Sequence, residues 1–126
     1  MSIGESGEDY LEAILLLRKK GGSVRNVEIA NFMGYAKPSI THAMKELKKC
    51  GLIEKTDDGE ILLTEEGNRM ASQIYERHCF FHDLLYEAGI DEQTAQQEAC
   101  RMEHIVTEES FQKLKKRFKN MKTQED

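Results

Sequence analysis

The chain has 126 residues, of which 33% are charged and 39% hydrophobic, and a net charge of −5. That length holds one domain, or two small ones sharing a core, and excludes a large multidomain enzyme. The acidic balance excludes a bulk nucleic-acid coat or a polybasic membrane binder, and a single proline with nine glycines excludes collagen-like and linker-like chains.

Residues 7–19 are apolar from Tyr10 to Leu17 and predict a buried first helix, ended by Gly21-Gly22. Residues 26–33 predict a short amphipathic helix with Val27, Ile29, Ala30 and Met33 toward a core, Asn26 as its N-cap and Gly34 as its end. Tyr35-Ala36-Lys37 then make a tight turn. Pro38 fits the first position of the next helix, where its missing N–H has no partner to lose. That helix runs to about Cys50, with Ile40, Ala43, Met44 and Leu47 inward and Gly51 closing it. The period then changes. Ile53 to Thr56 and Glu60 to Thr64 predict two strands around an Asp57-Asp58-Gly59 turn. From Glu65 the stripe Met70, Ile74, His78, Phe81, Leu85 and Ala88 predicts one long helix that Gly89 ends. A further helix opens near Asp91 with Ala95, Ala99, Met102 and Val106 inward. The last shows Phe111, Leu114, Phe118 and Met121, with lysines and Arg117 on its other face.

The expected setting is the cytoplasm, with no membrane association. No apolar run approaches the ~20 residues of a membrane span. The opening MSIGESGEDY lacks the basic and apolar regions of a signal peptide. Three cysteines, Cys50, Cys79 and Cys100, are too few and too odd for a disulfide framework.

The net charge hides a segregation. Residues 18–56 hold nine basic side chains and only Glu28, Glu46 and Glu54 as acids, a local balance of +6, while residues 57–126 carry −7. A basic middle in an acidic chain predicts a polyanion-binding surface. The order helix, helix, tight turn, helix, β-hairpin in that same segment is that of a winged helix-turn-helix. There the third helix enters the major groove and the hairpin wing lies against the backbone. That helix opens Lys37-Pro38-Ser39-Ile40-Thr41-His42. Ser39, Thr41 and His42 are the expected base-edge contacts, and Lys37, Lys45, Lys48 and Lys49 the phosphate contacts. With no arginine or asparagine on its first turns, specificity leans on short polar groups, DNA shape and dimer spacing.

A second constellation is made of metal-ligand residue types. Asp9 and Glu12 share one face of the first helix, and His78 lies on the apolar stripe of the long one. Cys100, Glu103 and His104 stand at i, i+3 and i+4, which puts thiol, carboxylate and imidazole on one helical face. Carboxylates with imidazole suit Mn²⁺ or Fe²⁺, and a thiolate shifts preference toward softer ions. His82, one turn after His78, is a candidate extra ligand, and Cys79 points off that face into packing.

The stretch Glu98-Ala-Cys-Arg-Met-Glu-His104 is the most specific signature. With it stand Asp9-Tyr-Leu-Glu12, the Pro38-Ser-Ile-Thr41 opening, Gly51-Leu-Ile, Leu63-Thr-Glu-Glu-Gly67 and Arg77-His78. On these residues the chain resembles the iron- and manganese-dependent repressors of the diphtheria-toxin-repressor and manganese-transport-regulator family, over nearly its whole length. The resemblance implies a mainly α protein, with a winged helix-turn-helix DNA-binding domain at 1–70 and a helical metal-binding and dimerisation domain at 71–126. A length of 126 residues leaves no room for the SH3-like third domain of longer members, so a short, manganese-regulator-type chain is expected. Carried over by position, Asp9, Glu12, His78 and Glu103 hold one metal. Glu12, Cys100, Glu103 and His104 hold a second, with Glu12 and Glu103 bridging. Asp9 and Glu12 match the manganese-type regulators, whereas Cys100 matches the iron-type repressors. The resemblance therefore implies Fe²⁺ or Mn²⁺, two ions per protomer.

The function this implies is a metal-activated transcriptional repressor of metal-ion homeostasis genes, a homodimer on double-stranded operator DNA and not an enzyme. Metal joining the first helix to the second half would fix the spacing of two recognition helices. Phe80, Leu84, Leu85 and Ile105 are the candidate dimer contact. Two rival readings stand beside it. One is a metal-independent winged-helix regulator whose polar groups form buried ion pairs. The other is a di-metal hydrolase, which would leave the first half unexplained.

Overall fold

The computed structural model describes residues 3–125, with side chains described for residues 3–118. Within that span the chain is mainly helical: α1 (Gly4–Lys19), α2 (Asn26–Met33), α3 (Lys37–Lys49), β1 (Ile53–Lys55), β2 (Ile61–Leu63), α4 (Glu65–Glu87), α5 (Glu92–Ile105) and α6 (Glu108–Glu125). It divides into two compact units, residues 1–74 and 75–126, with the division falling inside α4.

The first unit is a winged helix-turn-helix. Leu11 and Ile14 of α1, Ile29 of α2, and Ile40 and Leu47 of α3 are buried, and Ile61 of β2 joins them. Each such aliphatic side chain contributes about 1.5–3 kcal/mol by leaving water. Gly34 takes φ 73° after α2, and its N–H donates to the Ala30 carbonyl at 2.8 Å. That left-handed cap, cheap only for glycine, makes the tight turn into α3. Gly51, at φ 75°, ends α3, and the chain enters β1 directly. The hairpin pairs Ile53 with Leu63, Glu54 with Leu62 and Lys55 with Ile61, antiparallel.

Several expectations shift. α1 begins at Gly4 rather than residue 7, and each strand is shorter than the predicted 53–56 and 60–64, with Thr56 and Glu60 in the turn hydrogen bonds. The N-cap of α2 is Arg25, not Asn26: its extended backbone N–H donates to the Glu28 carboxylate at 2.8 Å, half of a capping box. Val27 is 43% exposed and Met33 half-buried, so that Ile29 and Ala30 are the buried residues of this short helix. Pro38 is the second rather than first residue of α3, still within the turn whose N–H groups lack helical partners.

In the second unit, Phe81 of α4, Ala99 of α5 and Phe111 of α6 form the buried core. Phe80 meets Phe81 and Phe111 edge-on at 5.3 and 5.5 Å, an arrangement aromatic quadrupoles favour. Phe80, Leu84 and Leu85 are thus half-buried against this core, whereas Ile105 is 75% exposed. Ala88 is exposed beyond the last turn of α4, and the Met121 side chain lies outside the described residues. Asp91 caps α5 by accepting the Thr94 N–H at 3.1 Å.

Candidate metal-binding cluster and nucleic-acid interface

In the second unit the ligand-type residues converge on one carboxylate. Glu103 of α5 is fully buried. Its Oε2 lies 3.0 Å from His78 Nδ1 on α4, and its Oε1 lies 3.4 Å from His104 Nε2. Oε1 has no hydrogen bond. Cys100, Glu103 and His104 offer donor atoms within 4.8 Å of one another, and so do His78 and Glu103. The helical spacing explains the first set, since i, i+3 and i+4 stack over one turn of α5. A buried carboxylate with an oxygen left unbonded is costly unless a cation or a proton compensates it. Thiolate, carboxylate and imidazole are the donor types of a divalent transition-metal site, so these residues fit such an ion.

Of two neighbours, Gln96 was not singled out by the sequence reading, and Arg77 entered it only as part of the Arg77-His78 motif, with no role given. Gln96 presents Oε1 at 2.6 Å to His78 Nε2, the second nitrogen of that ring. Its only sequence signal is position, one turn before Cys100 on the same face of α5. Arg77 donates to the Glu103 and Val106 carbonyls at 3.1 and 3.2 Å and to Glu108 Oε1 at 2.8 Å. It thereby holds the end of α5 against the start of α6. This contact is the first cause of a lowered Glu108 pKa.

His82 stands beside His78, with the two rings stacked at 6.4 Å. Its Nε2 lies 2.9 Å from Glu92 and its Nδ1 3.2 Å from Asp83. Those two hydrogen bonds, Glu92 first, push its pKa up. Cys79 is half-buried.

In the first unit Asp9 and Glu12 occupy one side of α1, Asp9 half-buried and Glu12 only 8% exposed. Lys37, Pro38, Ser39, Thr41, His42, Lys45 and Lys48 are all exposed on α3, opposite the buried Ile40, Met44 and Leu47. Thr41 Oγ1 donates to the Lys37 carbonyl at 3.1 Å. Ser39 and His42 border a groove shared with Ser6 and Tyr10 of α1, so they lean to that edge of the helix. The basic middle of the chain is smaller than its charge count. Arg18 bonds to the Ile61 carbonyl and Arg25 to Asp58, both inside the domain.

A family model described as the iron-dependent repressor N-terminal DNA-binding domain matches residues 2–60. One described as the iron-dependent repressor metal-binding and dimerisation domain matches residues 64–126. The chain belongs to the iron-dependent repressor family.

Relatives of this repressor-family chain include an uncharacterized HTH-type transcriptional regulator of Methanocaldococcus jannaschii. It is 32% identical over 115 residues, 90% of this chain and 92% of that protein. The transcriptional regulator MntR of Escherichia coli is 34% identical over 104 residues, 82% of this chain and 67% of that protein. The solved structure of the manganese regulator SloR matches with a TM-score of 0.79 at 27% identity, over 94% of this chain and 55% of that one. The chain therefore spans about half the length of that regulator. As an iron-dependent repressor relative it is a metal-dependent transcriptional regulator and not an enzyme, which removes the hydrolase reading. Among the described residues no helix is long and apolar enough to cross a membrane.

Proposed function

We propose that the chain is a metal-activated repressor, controlling metal-ion homeostasis genes as a homodimer on double-stranded operator DNA. Residues 1–70 are its DNA-binding domain and residues 71–126 its metal-binding and dimerisation domain. The observation that carries the metal half is Glu103, a buried carboxylate between two imidazoles with a thiol on the same helical face. Asp9, Glu12, His78, Cys100, Glu103 and His104 would hold two ions per protomer. A divalent ion there supplies the positive charge that the buried carboxylates need. Cys100 favours Fe²⁺ over Mn²⁺, because a thiolate is a softer donor than the oxygen of Asp9 or Glu12.

The chain's own residues divide the remaining work. Ser39, Thr41 and His42 read base edges, with Pro38 starting the helix in position. Lys37, Lys45 and Lys48 neutralise phosphates. By linkage, operator DNA tightens metal binding by the same factor that metal tightens DNA binding. The test is fluorescence anisotropy of the purified chain on a duplex it has itself enriched from a random pool. Chelation abolishes specific binding, and Mn²⁺ or anaerobic Fe²⁺ restores it. Equal affinity in both conditions would leave a metal-independent winged-helix regulator.

A further inference from the structure

The hairpin is an acidic wing. Between Glu54 and Glu60 it carries four carboxylates, Glu54, Asp57, Asp58 and Glu60, against one lysine, Lys55. The neighbouring α3 has the opposite balance, with Lys37, Lys45, Lys48 and Lys49 against Glu46. An acidic hairpin laid on a phosphate backbone is repelled. What the hairpin does instead is bond back to its own domain. The Ile61 N–H donates to the Val24 carbonyl at 2.7 Å. Arg18 Nη1 donates to the Ile61 carbonyl at 3.1 Å and stands 3.6 Å from Glu60. At the tip, Arg25 Nε donates to the Asp58 carbonyl at 3.2 Å and Nη2 to Asp58 Oδ2 at 2.9 Å. Thr56 Oγ1 donates to Asp58 Oδ1, and the Glu60 N–H donates to Thr56 Oγ1 at 2.9 Å.

Arg25 is also the residue that starts α2. β1 follows α3 across Gly51, with Leu52 and Ile53 buried. The Arg25–Asp58 contact therefore closes a ring that runs from the start of α2, through α3, to the tip of the hairpin. Both α2 and α3 lie inside that ring.

We propose that the wing is an internal strut and not a phosphate clamp, and that Arg25 is a positioning residue for DNA recognition. By holding Asp58, Arg25 fixes the hairpin against α2 and so limits the orientations open to α3. This rests on the DNA-binding reading above and assigns the phosphate contacts of the domain to α3 rather than to the hairpin.

The test uses the metal-loaded full chain on the duplex it has enriched and on a random duplex, each across a salt series. Arg25→Ala weakens binding to the enriched duplex by about fivefold, the ceiling for an exposed ion pair. The salt slope and the random-duplex affinity stay as they were. Asp58→Asn gives the same loss. That direction decides the matter, because a clamp against phosphates would bind more tightly once the carboxylate is gone. Asp57→Lys, at the exposed tip, leaves the slope unchanged, whereas on a phosphate it would steepen it by about 1. Tighter binding by Asp58→Asn, or a steeper slope in Asp57→Lys, overturns the proposal. A readout without DNA is hydrogen exchange at the Thr56 and Ile61 amides, which speeds up in both Arg25→Ala and Asp58→Asn. Unchanged exchange there also overturns it. Lys45→Ala separates the two ideas: it must lower the slope by about 1 if α3 is on DNA at all. Should it fail to, the DNA-binding reading falls, whatever the wing variants do.

Discussion

Glu103 is the residue on which the second unit turns, because it is buried, bracketed by His78 and His104, and one turn from Cys100. Cys100→Glu replaces a soft donor with a hard one. Activation of DNA binding should then move from Fe²⁺ toward Mn²⁺, read as the half-maximal concentration of each metal in anisotropy. An unchanged ratio would mean that Cys100 is not a ligand. Glu103→Ala should abolish activation by both metals. A pH effect belongs to Glu108, whose carboxyl is held below its ordinary value by the Arg77 hydrogen bond and then by Gln112. A lowered folded pKa gives stability that is present above the unfolded value of about 4.3 and lost as pH falls through the folded one. Glu108→Gln should therefore lower the melting midpoint at pH 7, with the difference from wild type closing in acid. The Cys100, Glu103, His104 face was legible because helical spacing alone puts those side chains together. Gln96 and the role of Arg77, which stood only as a motif residue, were not, since both arise where α5 meets α4 and α6, which no spacing along the chain encodes.

At the scale of elements, α4 starts against a close backbone contact. A Cβ at Gly67 would lie 1.9 Å from the Leu52 carbonyl oxygen. Thr64 Oγ1 accepts the Gly67 N–H at 3.0 Å and donates to the Gly51 carbonyl at 2.7 Å, so this corner also fixes the end of α3. Gly67→Ala forces backbone to move and should cost about 1–3 kcal/mol, measured as the denaturant midpoint. Leu47→Ala, which empties a buried site on α3, should cost about 2–5 kcal/mol by the same measure. The helices were legible in order because their apolar residues recur at helical spacing and glycines follow the first four of them. The wing was legible as a hairpin but not as a tied one. Arg18 and Arg25 counted toward a polyanion surface until their partners, Ile61 and Asp58, were seen across the fold.

For the whole molecule, metal that binds only the folded chain must stabilise it by mass action. At a free concentration about 100-fold above its Kd the gain is about 2.7 kcal/mol. The melting midpoint should rise with Mn²⁺ and return with chelator, and a midpoint indifferent to metal would contradict a resident site. The family was legible from a few motif residues spread along the chain, but the physiological ion was not, because the resemblance matches Asp9 and Glu12 to manganese-type members and Cys100 to iron-type ones. The separation of charge has one more consequence, for the kinetics of encounter. The chain carries −5 overall, yet α3 turns lysines outward. In dilute salt, where the Debye length is about 30 Å, an approaching duplex senses the whole acidic body and is pushed away. Near 0.15 M, where it is about 8 Å, the duplex senses only the helix in front of it. Long-range steering thus works against capture while short-range contact works for it. The association rate constant should accordingly depend on ionic strength less steeply than that of a uniformly basic DNA-binding domain.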